Sequence, residues 1–242
     1  MPRRASPRSA FGAEPRTPDS TPRAQDSTPR AQDSTPRALL IALTGALAIA
    51  LAGGLALGGL TSFGQQYLPD WLRPLANSAG GWTMFAFVLV WLGRTRPAVA
   101  AILGLIAFEA LVFGYGIVST ARGYDFNALA SFWTLAGVVV GPVVGIAAGL
   151  LRYGTPMWRI LAVTPLCAVL LGEGIHSLQT IADTTGSTYW IIEIVLSVLF
   201  FSVAATRLRP RPRHLGIAIA VWVIGAASYI GAWALLGGGV PF

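Results

Sequence analysis

Lysine is absent from this chain, and charge of either sign is scarce: charged residues make up 11% of the 242 positions. A soluble domain carries roughly 25% charged residues, so the chain lacks the polar surface needed to face water. The only cysteine, Cys167, excludes an intramolecular disulfide and lies in an apolar run, where it reads as a small buried apolar residue. The two histidines, His176 and His214, lie in very different contexts, one in an apolar run and one among arginines. No HExxH pair, phosphate-binding glycine loop or Gly-x-Ser-x-Gly elbow is present. A serine nucleophile paired with His176 has no motif behind it, so the sequence points to no enzyme, and no cofactor is implied.

What is abundant is apolar. Hydrophobic residues make up 54% of the chain, gathered in runs close to twenty residues long. That length crosses about 30 Å of hydrocarbon at about 1.5 Å per residue. Seven segments are expected, over about 38–60, 75–92, 97–119, 131–151, 159–180, 189–206 and 215–236. Pro74 suits the first turn of the second segment, and Pro97 opens the third. The second segment is the weakest, because Asn77, Ser78, Gly80 and Gly81 dilute its start; a re-entrant or interfacial element is its alternative. The fold class is therefore an all-α, polytopic membrane bundle. The lipid bilayer is its first partner, and the inner (plasma) membrane its expected location.

The net charge of +7 does not indicate nucleic acid, because its placement follows the apolar runs. Seven arginines precede the first run, and eight of the other ten sit in short connectors. With the N-terminus inside and one crossing per segment, fifteen arginines fall inside and only Arg73 and Arg122 outside. The positive-inside rule asks for that asymmetry. Seven spans then leave the N-terminus in, the C-terminus out, and residues 237–242 as a short outer tail. The domain between the two tails spans residues 38–236.

Residues 1–37 are rich in Pro, Arg, Ser and Thr, and a seven-residue unit recurs from Pro18-Asp-Ser-Thr-Pro-Arg-Ala24 onward. Seven is the coiled-coil period, but each copy lacks an apolar pair and carries a helix-breaking proline. The reading is a disordered cytoplasmic tail. The first apolar run exceeds a signal-peptide core and follows 37 residues, so it reads as a signal anchor.

Gly137, Gly141, Gly145 and Gly149 form a stripe at i+4 spacing in the fourth segment, and Ala46, Ala50, Gly54 and Gly58 repeat the device in the first. Such stripes admit close backbone approach between membrane helices. They imply tight packing against a helix of this chain, a second copy or another membrane protein. Pro142 and Pro165 fall inside their segments and read as kinks or, as in some transporters, as helix breaks at a site.

The ionisable residues within the spans are the most informative. A charge near the bilayer centre costs roughly 2.5–3.5 kcal/mol on the insertion scale, so such groups face the bundle and find partners. Glu109, Glu173, His176 and Glu193, with Gln179 nearby, all fall between the midplane and the outer face of the expected topology. Glu173 and His176 are an i, i+3 pair on one helix face. The cluster fits a proton- or solute-binding cavity open to the exterior, or an internal hydrogen-bond network that locks packing. A di-iron site would need a second Glu-x-x-His motif and two more carboxylates, so no metal is assigned. In the outer connectors Gln65, Asp70, Trp71, Asn77, Arg122, Asp125 and Asp183 are candidates for a lid over the cluster or for interfacial anchoring, with the acids and arginines paired across the surface.

Leu60-Thr-Ser-Phe-Gly-Gln65, Leu68-Pro-Asp-Trp71, Leu75-Ala-Asn-Ser-Ala79, Gly172-Glu-Gly174 and Ala182-Asp-Thr-Thr185 with Tyr189-Trp190 resemble a family of small actinobacterial membrane proteins of unknown function. The resemblance covers about residues 40–206. It implies the same membrane fold and lends no mechanism. Two functions remain in view: binding or transport of a small solute or proton at the outward-facing cluster, and an accessory role in which the glycine stripes hold partner helices.

Overall fold

The structure, a computed structural model, describes residues 36–236, so the heptad tail before Pro36 and the last six residues lie outside the described residues. The described residues are helical throughout, with no strand. Helices α1 (Pro36–Tyr67), α3 (Pro97–Ala121), α4 (Phe132–Tyr153), α8 (Thr188–Leu208) and α9 (Pro212–Leu235) are each long and apolar enough to cross a membrane. A sixth span, Pro156–Thr180, is built from α5 (Pro156–Leu161) and α6 (Thr164–Thr180). Helix α2 (Ala79–Leu92) is shorter, and α7 (Ala182–Thr185) is a single turn before α8.

The weakest expected segment is the one the structure reshapes. Helix α2 holds 14 residues, which span about 21 Å at about 1.5 Å per residue. It is preceded by a 3-10 turn, Arg73–Asn77, and this turn takes Pro74, which was expected in the helix itself. Ser78 is the N-cap, its side chain accepting from Gly81 N. Helix α2 begins inside the protein and packs on α1, α3, α4 and α6, so it is the central element. The first helix is longer than its apolar run: it continues through Thr61-Ser-Phe-Gly-Gln-Gln-Tyr67, which places Gln65 on a helix and not in a loop.

Successive connectors alternate between two ends. At one end Tyr153 Oη donates to Arg94 O at 2.7 Å and Arg152 reaches Trp91 O at 3.3 Å. Ile160, Phe201 and Ala218 pack together near it, joining the α5, α8 and α9 termini. At the other end Arg122 donates to Ser62 Oγ at 2.9 Å, and Gln65 Nε2 donates to Tyr115 Oη at 2.9 Å. Arg94, Arg96, Arg152, Arg159 and Arg207 to Arg213 therefore share one end, opposite Arg73 and Arg122.

Both glycine stripes face α3 of the same chain. A Cβ on Gly58 would sit on the Leu111 carbonyl, and one on Gly54 would lie 2.6 Å from Ala110 Cβ. On the α4 side a Cβ on Gly145 would strike the Ala100 carbonyl, one on Gly141 would lie 2.8 Å from Gly104 O, and one on Gly149 would lie 2.8 Å from Pro97 Cα. The stripes pack into an internal three-helix seam of α1, α3 and α4.

Pro165 does not kink a continuous helix; it opens α6 after a break at Ala162 and Val163. Proline cannot donate to the Leu161 carbonyl, and the Thr164 hydroxyl does so instead at 2.7 Å. Pro142 lies inside an unbroken α4.

A candidate solute cavity walled by aromatics and a buried carboxylate

On α6 the residues Glu173, His176, Ser177 and Thr180 stand at i, i+3, i+4 and i+7, one face of a helix. That face lines a cavity of about 310 Å³. Its other walls are Trp133 of α4, Tyr229 and Trp233 of α9, Trp190 of α8, and Pro74 and Asn77 from the turn before α2. His176 stacks on Trp233 with ring centres 6.0 Å apart. The Trp190 indole N–H donates to Thr185 Oγ1 at 2.9 Å, which leaves an apolar ring on the wall.

Glu173 is 6% exposed and caps the start of α2. Its Oε1 accepts from Ala79 N at 2.9 Å, and its Oε2 from Gly80 N at 2.5 Å and lies 3.0 Å from Ser78 Oγ. The first amide groups of a helix have no partner within it, and their dipoles favour a negative charge. Gly80 permits the approach, since a Cβ there would lie 2.6 Å from Glu193 Oε1 and 3.0 Å from Glu173 Oε2.

Ser78 Oγ also lies 2.7 Å from Glu193 Oε1, which accepts from Tyr189 Oη at 2.9 Å. Glu193 is 1% exposed, and its second oxygen has no hydrogen-bond partner. One serine hydroxyl, with a single proton to donate, thus lies between two buried carboxyl groups. Among the described residues no arginine lines this cavity, so the α2 N-terminus is the positive element that faces the pair.

Two further cavities adjoin. A vestibule of about 610 Å³ beside Asp70, Arg73 and Thr184 shares Pro74, Asn77 and Thr185 with the central cavity. An apolar cleft of about 230 Å³ between α4 and α9, lined by Phe108, Val140 and Val169, shares Trp133, Tyr229 and Trp233. The central cavity therefore lies between a polar mouth and an apolar recess.

Of the expected cluster, the structure brings Glu173, His176 and Glu193 together around Ser78 and the cavity. It does not bring in Glu109, which stands at the α3–α4 seam where a Cβ on Gly137 would lie 2.5 Å from its Oε1. Both Glu109 oxygens lack a hydrogen-bond partner. Gln179 is exposed and outside the cavity wall.

In the connectors the expected surface pairing reduces to Asp70 with Arg73, at 2.5 Å. Arg122 instead holds the end of α1 through Ser62 and Gln66 and lies over the Phe63 ring. Asp125 and Asp183 are exposed, as is Trp71. Asn77 bonds Gln65 and walls both the vestibule and the cavity.

The sequence reading missed Ser78, Tyr189 and the four-residue aromatic wall. Tyr189, Glu193 and Ser197 at i, i+4 and i+8 were a legible polar row on α8, and Ser78-x-Gly80-Gly81 was a legible helix start. The aromatics come from three helices far apart in sequence and gave no local signal.

Fold and site together define a polytopic α-helical membrane protein with an aromatic-walled cavity at the end opposite its arginine-rich connectors. Residues 37–238 match the model of a family of unknown function, DUF6518, and the chain belongs to that family. No curated protein and no solved structure matches the chain.

Proposed function

We propose that this protein binds a small solute in the cavity between α4, α6 and α9, admits it from the outer face of the plasma membrane, and serves its uptake or detection. The observation that carries this reading is the cavity itself: about 310 Å³ with four aromatic rings and a buried carboxylate in its wall. Ligand sites are mostly apolar clefts with a few convergent polar groups, and this one has that composition. The positive-inside rule sets the arginine-rich end in the cytoplasm, which turns the vestibule outward. A helix that starts inside the membrane with its N-terminus beside the cavity is also how several transporters build a binding site. The accessory alternative loses support because α3 already covers both glycine stripes.

The test is thermal unfolding of the purified protein in detergent against a panel of amino acids, sugars, carboxylates, amines and quaternary ammonium salts. Ser177→Leu, which places a side chain in the cavity, serves as the blocked control. A midpoint rise in wild type that is absent in a folded Ser177→Leu supports the reading. No rise with any compound, or the same rise in both proteins, overturns it.

A further inference from the structure

Resting on that solute-binding reading, we infer that the cavity takes an alkyl-substituted ammonium ion of quaternary type. Charge is the first argument. Two buried carboxylates meet at Ser78, and a helix N-terminus supplies only about half a positive charge. An ionised carboxylate there has no full cationic partner, since among the described residues no arginine lines the cavity.

Hydrogen-bond capacity is the second. A carboxylate has about four lone-pair positions. Ala79 N and Gly80 N already occupy two on Glu173, and Ser78 Oγ stands 3.0 Å from its Oε2. A primary ammonium brings three donors that need acceptors, whereas a quaternary ammonium needs only the field. A metal cation fits less well still, since Ca²⁺ takes about six to eight oxygen ligands. Among the described residues no three His, Cys, Asp or Glu are grouped so that they could hold a metal ion.

The walls are the third argument. Trp133, Trp190, Tyr229 and Trp233 line one cavity together with Glu173. Aromatic faces attract cations by their quadrupole, and cages of such rings recognise quaternary ammonium groups. The adjoining apolar cleft shares three of these rings, so an alkyl substituent has a place beyond the charged head. An anion fits less well: the α2 N-terminus, which would attract it, is already taken by Glu173.

The experiment is calorimetric titration in a maltoside detergent, whose head group carries no ammonium. Choline, its neutral carbon isostere 3,3-dimethylbutan-1-ol, and anionic 3,3-dimethylbutyrate are titrated into wild type, Trp233→Leu and Trp233→Phe. The expected result is choline binding at least about tenfold tighter than either isostere, a single cation–π contact being worth about 0.5–2 kcal/mol. Trp233→Leu should weaken choline about tenfold in the folded protein, and Trp233→Phe should retain most of the affinity.

Equal binding of choline and its neutral isostere, or preference for the carboxylate, overturns the ammonium inference and leaves the solute-binding reading standing. So does failure of choline while another class in the thermal panel stabilises the protein. Failure of every compound in both experiments overturns both.

Discussion

Glu173→Gln and Glu193→Gln look alike on paper, and the structure predicts very different outcomes. Glu173 accepts from two backbone amides through separate oxygens, with Ser78 as a third neighbour. Glutamine offers one acceptor oxygen, and its amide NH2 must then point at a backbone N–H. One buried donor is left unsatisfied, at about 1–3 kcal/mol. Loss of the charge at a buried helix N-terminus adds up to about 2 kcal/mol. The sum is about 1–5 kcal/mol, at its upper end a large part of the stability margin of an ordinary domain.

Glu193 differs because its Oε1 takes both bonds and its Oε2 has no partner. Glutamine can keep its oxygen toward Ser78 and Tyr189 while the NH2 occupies the idle position, and it removes a charge facing Glu173. The expected cost is below about 1 kcal/mol. Tryptophan fluorescence during thermal unfolding in detergent reads both variants. A chain of this size shifts by roughly 2–4 °C per kcal/mol, so Glu173→Gln should fall by about 2–20 °C and Glu193→Gln by less, under about 4 °C. Equal losses in the two variants, or a neutral Glu173→Gln, would refute the capping argument.

Three more outcomes follow from packing. Gly80→Ala puts a methyl 2.6 Å from Glu193 Oε1 and 2.8 Å from Leu170 Cδ2, and should cost about 1–3 kcal/mol on the same unfolding scale. Gly141→Leu drives a side chain into the α3 backbone at Gly104 and Leu105; unfolding should show destabilisation by more than about 3 kcal/mol. Size-exclusion light scattering of the surviving folded fraction should show the same oligomeric mass as wild type. Thr164→Val removes the only donor that Pro165 leaves for the Leu161 carbonyl, and should lower stability by about 1–2 kcal/mol.

How far the sequence could be read followed the range of each signal. Apolar run length is local, so six long helices and the alternation of arginines were legible. The end of α1 was not, because Thr61, Ser62, Gln65 and Gln66 look like a connector, yet Tyr115, Ser119 and Arg122, on α3 and at its end, supply partners to the last three. Helix α2 was read only in part: its polar, glycine-rich start made it weak as a span. That same start is a helix N-terminus built to receive a carboxylate from a residue 93 positions away. The glycine stripes were legible as contact surfaces, but their shared partner α3 carries few glycines in register and gave no reciprocal sign. Glu109 was grouped with Glu173 by depth alone; depth is a one-dimensional coordinate, and the two residues sit on helices without a common seam. The aromatic wall is the least legible part, since Trp133, Trp190 and Trp233 are each ordinary near a membrane interface and become a wall only through tertiary structure.

The central claim, an outward-facing cavity that prefers positive charge, can be read by one labelling measurement. Cys167 is fully buried and is replaced by alanine. Thr180, which lines the cavity on the same face as Glu173, is replaced by cysteine. Intact cells are then treated with membrane-impermeant methanethiosulfonates bearing a trimethylammonium or a sulfonate group. Each rate is normalised to the rate with a free thiol in solution. The account predicts modification from outside, with the cationic reagent at least about tenfold faster, as one cation–π contact or one nearby carboxylate provides. No modification from outside, or a faster reaction with the sulfonate, would contradict it.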